Sequence, residues 1–252
     1  MYDTLRIIGV DLGQQRDPTA VAVLERGYGS AGELYNATYQ LKGRDHYGAR
    51  EPVRLEYHVR HLERPALGTS YVDGADRIIE LLKSLPDDEI VLAVDITGVG
   101  RPVGDMLRER LNEWLEVDRS IVLHGVWITI TGGDCITRAG DGGGIRVPKR
   151  DIAKAAVVLM EAGQLKIAEN LPLTPVLKRE LANFKVKINL HTGHDSYEAW
   201  REGDHDDLVL AVAMATWAGE RYFSKQNSLP RPGRWADEGV PTHVARPIRP
   251  VS

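Results

Sequence analysis

The sequence predicts an α/β fold in which a mixed central β-sheet is flanked by helices. Short apolar segments of strand length alternate with longer segments of helical period along much of the chain. From about residue 70 to residue 130 the predicted order is helix, strand, helix, strand, which is typical of parallel neighbours in an open sheet. A hairpin near the start of the chain adds antiparallel pairing and makes the predicted sheet mixed.

The N-terminal quarter of the chain is predicted to consist mainly of strands. The first is buried and ends in Asp11, and the turn Asp17-Pro18-Thr19 leads into a returning apolar strand. Glycine-containing turns separate two further segments, the second of which alternates cleanly. We expect strands over residues 5–11, 19–25, 33–42 and 53–62.

The central part is predicted to alternate helices and strands. A helix begins at Thr69 or Ser70 and runs to Leu85, where Pro86 stops it. A short apolar strand, 90–95, ends in Asp95. A helix from about Pro102 to Leu115 and a strand over 120–130 follow.

The glycine-rich segment 131–147 predicts a flexible hairpin beside the functional site, with an ordinary exposed β-turn as the alternative. An amphipathic helix from Lys149 to Ala162 is ended by Gly163. The remaining elements predicted are a short edge strand over 164–168, a helix over 174–184 and a last helix from about Asp204 to Phe223.

Acidic residues recur where these elements begin or end. Asp11 and Asp95 each end an apolar strand, and Asp204-His205-Asp206-Asp207 opens the last helix. Each has a simpler structural interpretation: Asp11 as a turn residue, and Asp95 and Asp204 as helix caps. However, three acids within four residues exceed what a cap needs, and like charges so close repel unless a cation joins them.

Carboxylates from separate elements are the ligands that hard divalent cations such as Mg²⁺ prefer. Two such ions about 3.5–4 Å apart can hold the attacking and leaving oxygens of a phosphodiester displacement. The residues therefore indicate metal-dependent phosphodiester chemistry.

Residues 5–222 resemble the nuclease domain of tailed-phage terminase large subunits, which belongs to the ribonuclease H-like (retroviral integrase-like) superfamily. Holliday-junction resolvases are relatives. The matching segments are Gly9-Val10-Asp11, Asp17-Pro18-Thr19-Ala20, Ala93-Val94-Asp95, Val147-Pro148-Lys149-Arg150-Asp151 and Gly203-Asp204-His205-Asp206-Asp207-Leu208-Val209.

The resemblance implies an endonuclease that cuts double-stranded DNA with two Mg²⁺ or Mn²⁺ ions during genome packaging. It implies Asp11, Asp95 and Asp207 as the catalytic metal ligands, with Asp11 bridging the ions. Asp204 and Asp206 would be accessory metal-site acids. If the helix includes Asp204, that residue shares a face with Asp207, whereas Asp206 points about 100° away from Asp207. His205 is expected to contact DNA phosphate or water, because Mg²⁺ sites favour oxygen.

One feature departs from full-length terminases, which also carry a packaging ATPase. No Gly-x-x-x-x-Gly-Lys-Ser/Thr phosphate loop occurs in the sequence. We therefore expect a split gene product or an excised domain that neither hydrolyses ATP nor translocates DNA by itself. A separate packaging ATPase, the small terminase subunit and the portal are the partners implied besides DNA.

The net charge of −4 is unevenly distributed. Between Arg146 and Lys187, nine Lys/Arg residues stand against four Asp/Glu residues. Such a basic stripe fits a phosphate backbone, although a solvated helix face is the simpler alternative. Lys149, Arg150 and Lys154 are the predicted contacts to the DNA backbone.

Composition sets outer limits on location and organisation. One cysteine, Cys135, excludes an internal disulfide framework and fits a reducing compartment. The sequence shows neither an apolar run of membrane-spanning length nor a signal peptide, so a cytoplasmic protein is expected. We expect a nuclease domain over 1–223 and a flexible Pro/Arg-rich tail over 224–252.

Three other functions remain open from the sequence. A junction resolvase would use the same fold and differ by a dimer interface. An actin-like ATP-binding protein would use Gly9 to Gly13 as a phosphate motif, but it needs two such lobes and a longer chain. A non-catalytic module bound to the procapsid would not need three intact acids.

Overall fold

The computed structural model describes residues 5–13, 18–28, 55–86, 89–98, 100–118, 120–138, 144–190 and 206–223. The predicted strand over 33–42 and the predicted tail over 224–252 lie outside these ranges. Within them the strands are β1 (Leu5–Asp11), β2 (Ala20–Tyr28), β3 (Leu55–Glu63), β4 (Glu89–Asp95), β5 (Val122–Thr131), β6 (Thr137–Arg138), β7 (Ile145–Pro148) and β8 (Leu165–Ile167). The helices are α1 (Tyr71–Ser84), α2 (Gly100–Val117), α3 (Lys149–Glu161), α4 (Thr174–Leu190) and α5 (Asp207–Phe223).

The strands form one mixed sheet in the order β6-β7-β5-β4-β1-β2-β3-β8. Strands β7, β5, β4 and β1 are parallel neighbours, and β2 pairs antiparallel with both β1 and β3. Strand β3 therefore runs in the same direction as β1. The carboxyl ends of β1, β3, β4, β5 and β7 consequently meet at one edge of the sheet.

Two hydrophobic cores cover the two faces of the sheet. Side chains alternate along each strand, so Ile7 of β1 enters one core while Ile8 and Val10 enter the other. Helices α1 and α2 pack on the face of Ile8 and Val10. Helices α3, α4 and α5 pack on the face of Ile7.

Local signals in the sequence account for several helix ends. The Ser70 side chain accepts a hydrogen bond from the Asp73 backbone N–H at 3.1 Å, which caps α1 at the predicted residue. Gly163 has a φ of +66°, the left-handed conformation that follows many helix C-termini, and it terminates α3 as expected.

Helix α5 lies against β1 at the distance that a glycine permits. A Cβ added to Gly9 would stand 1.9 Å from the carbonyl oxygen of Ala211, so no side chain fits between this strand and the helix backbone. Ala211 and Ala215 are fully buried on the helix side of the contact. This contact sets the height of α5 above the sheet and places its first residue close to the end of β1.

Most predicted elements are found within the described ranges, and two helix ends differ clearly from the prediction. Helix α4 extends to Leu190, and α5 begins at Asp207 rather than at about Asp204. The glycine-rich segment does form a hairpin, because β6 pairs antiparallel with β7. None of the described helices is both long enough and apolar enough to cross a membrane.

Candidate active site

Asp11 and Asp95 stand side by side at the edge where the parallel strands end. They are paired in the register of β1 and β4, and each is the last residue of its strand. Gly9 and Val10 before Asp11, like Ala93 and Val94 before Asp95, belong to buried strand backbone. The hydrogen-bonded ladder therefore fixes the spacing of the two carboxylates.

The start of α5 adds two further acids to this edge. Asp207 is buried and Asp206 is half-buried. Burial raises the pKa of Asp11 well above its usual range, and the charges of Asp95, Asp207 and Asp206 raise that pKa further. We call Asp11, Asp95, Asp206 and Asp207 the acid cluster.

The simpler interpretations of Asp11 and Asp95 fit the local geometry less well. After Asp11, it is the Gly13 backbone N–H that donates to the Thr19 hydroxyl at 3.2 Å. Helix α2 begins only at Gly100, so Asp95 does not cap it. Instead one Asp95 oxygen accepts a hydrogen bond from the Thr97 N–H at 2.7 Å.

Helix α5 is capped by a residue from another helix. The Asp206 carbonyl accepts the first helical hydrogen bond from the Leu210 N–H at 2.9 Å, so Asp206 occupies the N-cap position. The amides of Leu208 and Val209, which an N-cap side chain normally binds, donate instead to Glu180 Oε2 at 3.1 and 3.3 Å. Glu180 is a buried residue of α4.

Arg64 joins Glu180 to the acid cluster. It follows β3 directly, and its Nη2 donates to Glu180 Oε1 at 2.5 Å and lies 3.5 Å from Asp207 Oδ2. Burial raises the pKa of Glu180, while the Arg64 guanidinium and the two α5 amides act in the opposite direction.

The three predicted DNA-contact residues of α3 lie in different surroundings. Lys149 Nζ stands 3.6 Å from Asp206 Oδ2. Its positive charge offsets a small part of the rise in the pKa of Asp11 that burial and the other acids cause. Lys149 therefore faces the acid cluster. Arg150 points away from it and donates to the Asp134 carboxylate and carbonyl at 2.7 and 2.8 Å. Lys154 is exposed on the helix surface.

The structure thus brings together four of the predicted metal-site residues, Asp11, Asp95, Asp206 and Asp207. Asp204 and His205 lie outside the described residues. Because α5 begins at Asp207, the helical-face argument for Asp204, which required a helix start near Asp204, does not apply. Asp206 precedes the helix, so the 100° separation does not apply to it, and its charge acts on Asp11.

The chemistry of the acid cluster fits a hard divalent cation. Its four carboxylates offer only oxygen atoms, and burial, followed by the charges of the other three acids, raises the pKa of Asp11. In the described part of the chain, no three acidic, histidine or cysteine side chains form a group that is arranged to hold a metal ion.

Two residues of the site, Arg64 and Glu180, were not predicted from the sequence. The only sequence signal at Arg64 is its position directly after β3, a strand that ends at the same edge of the sheet as β1 and β4. Glu180 follows Lys178 and Arg179 on a helix, where an exposed acid is the ordinary expectation. Its burial depends on packing of α4 against α5, which no local pattern specifies.

Comparison with known proteins identifies the fold. No protein-family model and no curated protein matches the sequence. Among solved structures, the chain is similar to the "Human cytomegalovirus terminase nuclease domain, Mn soaked, inhibitor bound". The TM-score is 0.50 at 14% sequence identity, covering 86% of this chain and 84% of the other. The predicted ribonuclease H-like α/β fold is therefore confirmed, and it is the fold of a terminase nuclease domain.

Proposed function

We propose that this protein is a metal-dependent endonuclease that cuts double-stranded DNA during viral genome packaging. The observation that carries the proposal is the acid cluster at one edge of a sheet with the fold of a terminase nuclease domain. Repelling carboxylates drawn from two strands and a helix start are costly to the fold, and such strained electrostatics are typical of functional sites.

We assign Asp11, Asp95 and Asp207 as the residues that would hold two divalent ions, with Asp206 as an accessory acid. The neighbouring structure was soaked with manganese, which supports Mn²⁺ or Mg²⁺ as the cofactor. When bound, such ions activate a water molecule and stabilise the charge that develops on a phosphodiester. We keep Asp204 as a further candidate ligand and His205 as a candidate DNA contact.

The residues of the chain have three separate tasks in this proposal. The β1–β4 ladder fixes Asp11 beside Asp95, and the Gly9 contact fixes Asp207 over them. Lys149 places one positive charge at the border of the acid cluster, where it can contact a DNA phosphate. Arg150 and Lys154 would bind the backbone farther away without reading sequence.

We infer the packaging role from two independent resemblances. The motifs resemble tailed-phage terminases, and the fold is similar to a human cytomegalovirus terminase nuclease domain. In such a system the nuclease domain, 1–223, and the Pro/Arg-rich tail, 224–252, would act on DNA delivered by a separate packaging ATPase. The small terminase subunit and the portal are the other partners proposed.

A plasmid assay tests the catalytic part of the proposal. The purified protein should nick and linearise supercoiled plasmid without ATP in Mn²⁺ or Mg²⁺, and EDTA should stop the reaction. Asp95→Asn should reduce cleavage to background. Asp118→Asn is the matched control, because Asp118 is an exposed acid that directly follows the C-terminus of α2. Its carboxylate accepts hydrogen bonds from the backbone N–H and hydroxyl of Ser120. Cleavage in EDTA, or by Asp95→Asn, contradicts the proposal.

A further inference from the structure

We propose that Glu180 is a positioning residue that keeps the carboxylates of Asp206 and Asp207 available to a divalent cation, by capping α5 and by holding the charge of Arg64. The inference rests on the proposed function, because it assigns a task to residues around the same metal site. Neither residue belongs to the acid cluster. Glu180 binds the capping amides of α5, and its ion pair with Arg64 restrains the positive charge beside Asp207, the first residue of α5.

Glu180 caps α5 in place of the Asp206 side chain. An aspartate at the N-cap position normally turns its side chain onto the second and third amides of the helix. Here those amides, from Leu208 and Val209, are already bound by Glu180. The Asp206 carboxylate lies instead 3.6 Å from Lys149 Nζ, on the side of the acid cluster. Glu180 therefore takes over the capping that would otherwise withdraw Asp206 from the site.

Glu180 also balances the positive charge of Arg64. Its guanidinium reaches both Glu180 Oε1, at 2.5 Å, and Asp207 Oδ2, at 3.5 Å. While Glu180 is present, the shorter ion pair balances most of the positive charge. Without Glu180, the guanidinium would be left with Asp207 and would compete with a metal ion for that carboxylate.

The Glu180 side chain is held rigidly in this position. The Glu180 side chain is only 6% exposed, and it joins three elements, α4, α5 and the residue after β3. A buried acid whose two oxygens are bound in different directions has little freedom to move. Residues that orient metal ligands from outside typically change metal affinity roughly 10–100-fold when they are replaced.

The direct test is the structure of the metal-free Glu180→Leu protein. We expect the Asp206 carboxylate to leave Lys149 and to accept hydrogen bonds from the Leu208 and Val209 amides. Thr174→Val is the matched control, because it removes a buried hydrogen bond of α4, from Thr174 Oγ1 to the Ala168 carbonyl at 2.6 Å, without touching α5. Asp206 remaining beside Lys149 in the Glu180→Leu structure overturns the inference.

The second test measures Mn²⁺ affinity in the absence of DNA, by calorimetry or electron paramagnetic resonance. Glu180→Leu should bind Mn²⁺ roughly 10–100-fold more weakly than the wild type, and Thr174→Val should bind it equally well. Glu180→Gln, which keeps one acceptor oxygen but no charge, should lie between them. Adding Arg64→Gln to Glu180→Leu should recover part of the loss, because the competing charge is gone.

The variants separate this inference from the proposed function. If Glu180→Leu does not fold, Glu180→Gln carries both tests, and wild-type Mn²⁺ affinity in that variant overturns the inference. A wild-type protein that binds no Mn²⁺ contradicts the proposed function. The metal-free structures still decide whether Glu180 controls the position of Asp206.

Discussion

Both ends of α5 carry polar groups, but their charges are arranged in opposite ways. At the acidic end, Asp206 and Asp207 join Asp11 and Asp95, and the charges repel. At the other end, which we call the tyrosine end, Tyr57 donates a hydrogen bond to Glu220 at 2.6 Å. The Arg26 Nε donates to the same Tyr57 hydroxyl at 3.0 Å.

The comparison separates a functional polar cluster from a structural one. Around Tyr57, one cation and one anion share a phenol, and burial raises the pKa of that phenol, so it stays protonated as a donor. The acid cluster keeps several like charges with Lys149 and Arg64 only at its border. We infer that the tyrosine end serves stability, whereas the acidic end lowers stability in favour of metal binding.

The largest effect is expected from a substitution that displaces α5 at its acidic end only. Gly9→Ala places a Cβ against the Ala211 carbonyl, which is rigid backbone, so the helix must move away from β1. We expect a loss of about 3 kcal/mol in the free energy of unfolding and no detectable cleavage. Urea unfolding and plasmid cleavage measure the two effects.

Gly219→Ala is the control at the tyrosine end. Its Cβ would meet the side chains of Ile7 and Tyr57 at 2.5 and 2.7 Å, and the Ile7 methyl can shift. We expect a loss of about 1–3 kcal/mol with cleavage retained below the unfolding temperature. Equal loss of cleavage in both variants would mean that the height of α5 as a whole, not its acidic end, controls the site.

Asp11→Asn should abolish cleavage and still stabilise the metal-free protein. The amide keeps the shape of the side chain and removes one charge from the repelling cluster. We expect a gain of about 0.5–2 kcal/mol, measured by urea unfolding in EDTA near neutral pH. A destabilised variant that still cuts DNA would assign Asp11 a structural task.

The pH dependence of that gain follows from the raised pKa of Asp11. A carboxyl with a raised pKa in the folded state costs stability while ionised, and the cost disappears as pH falls through the folded pKa. The advantage of Asp11→Asn over the wild type should therefore shrink on acidification. A constant advantage down to pH 4 would point to a cause other than charge.

Tyr57→Phe should have the reverse profile, with lower stability and unchanged cleavage. The variant removes the hydroxyl that joins Arg26 and Glu220, both of which retain some access to water. We expect a loss of about 1–2 kcal/mol in thermal or urea unfolding. Reduced cleavage by the folded variant would show that the two ends of α5 are coupled.

The smallest effect is expected at Lys154, which is exposed on α3 away from the acid cluster. Lys154→Gln should weaken DNA binding a few-fold for every sequence and reduce the salt dependence by about one counterion. The measurement is fluorescence anisotropy with a labelled duplex at several salt concentrations. Unchanged affinity would make Lys154 part of a solvated helix face, with Lys149 as the next residue to test.

Local sequence patterns predicted the fold class and directly indicated two positions of the acid cluster, Asp11 and Asp95. Apolar strands ending in Asp11 and Asp95 are local patterns, and the register of parallel neighbours then brings their ends together. The cap of α1 and the end of α3 were likewise readable, because each depends on residues within one helical turn.

The start of α5 and the groups that hold its first residues depend on packing between distant parts of the chain. The acids around Asp207 suggested a helix start at Asp204, since an aspartate is a common cap. The actual cap, Glu180, lies 28 residues before Leu208, and Arg64 lies 116 residues before Glu180. Hydrogen bonds over such separations exist only after the strands and helices have packed, so no local pattern of residues can specify them.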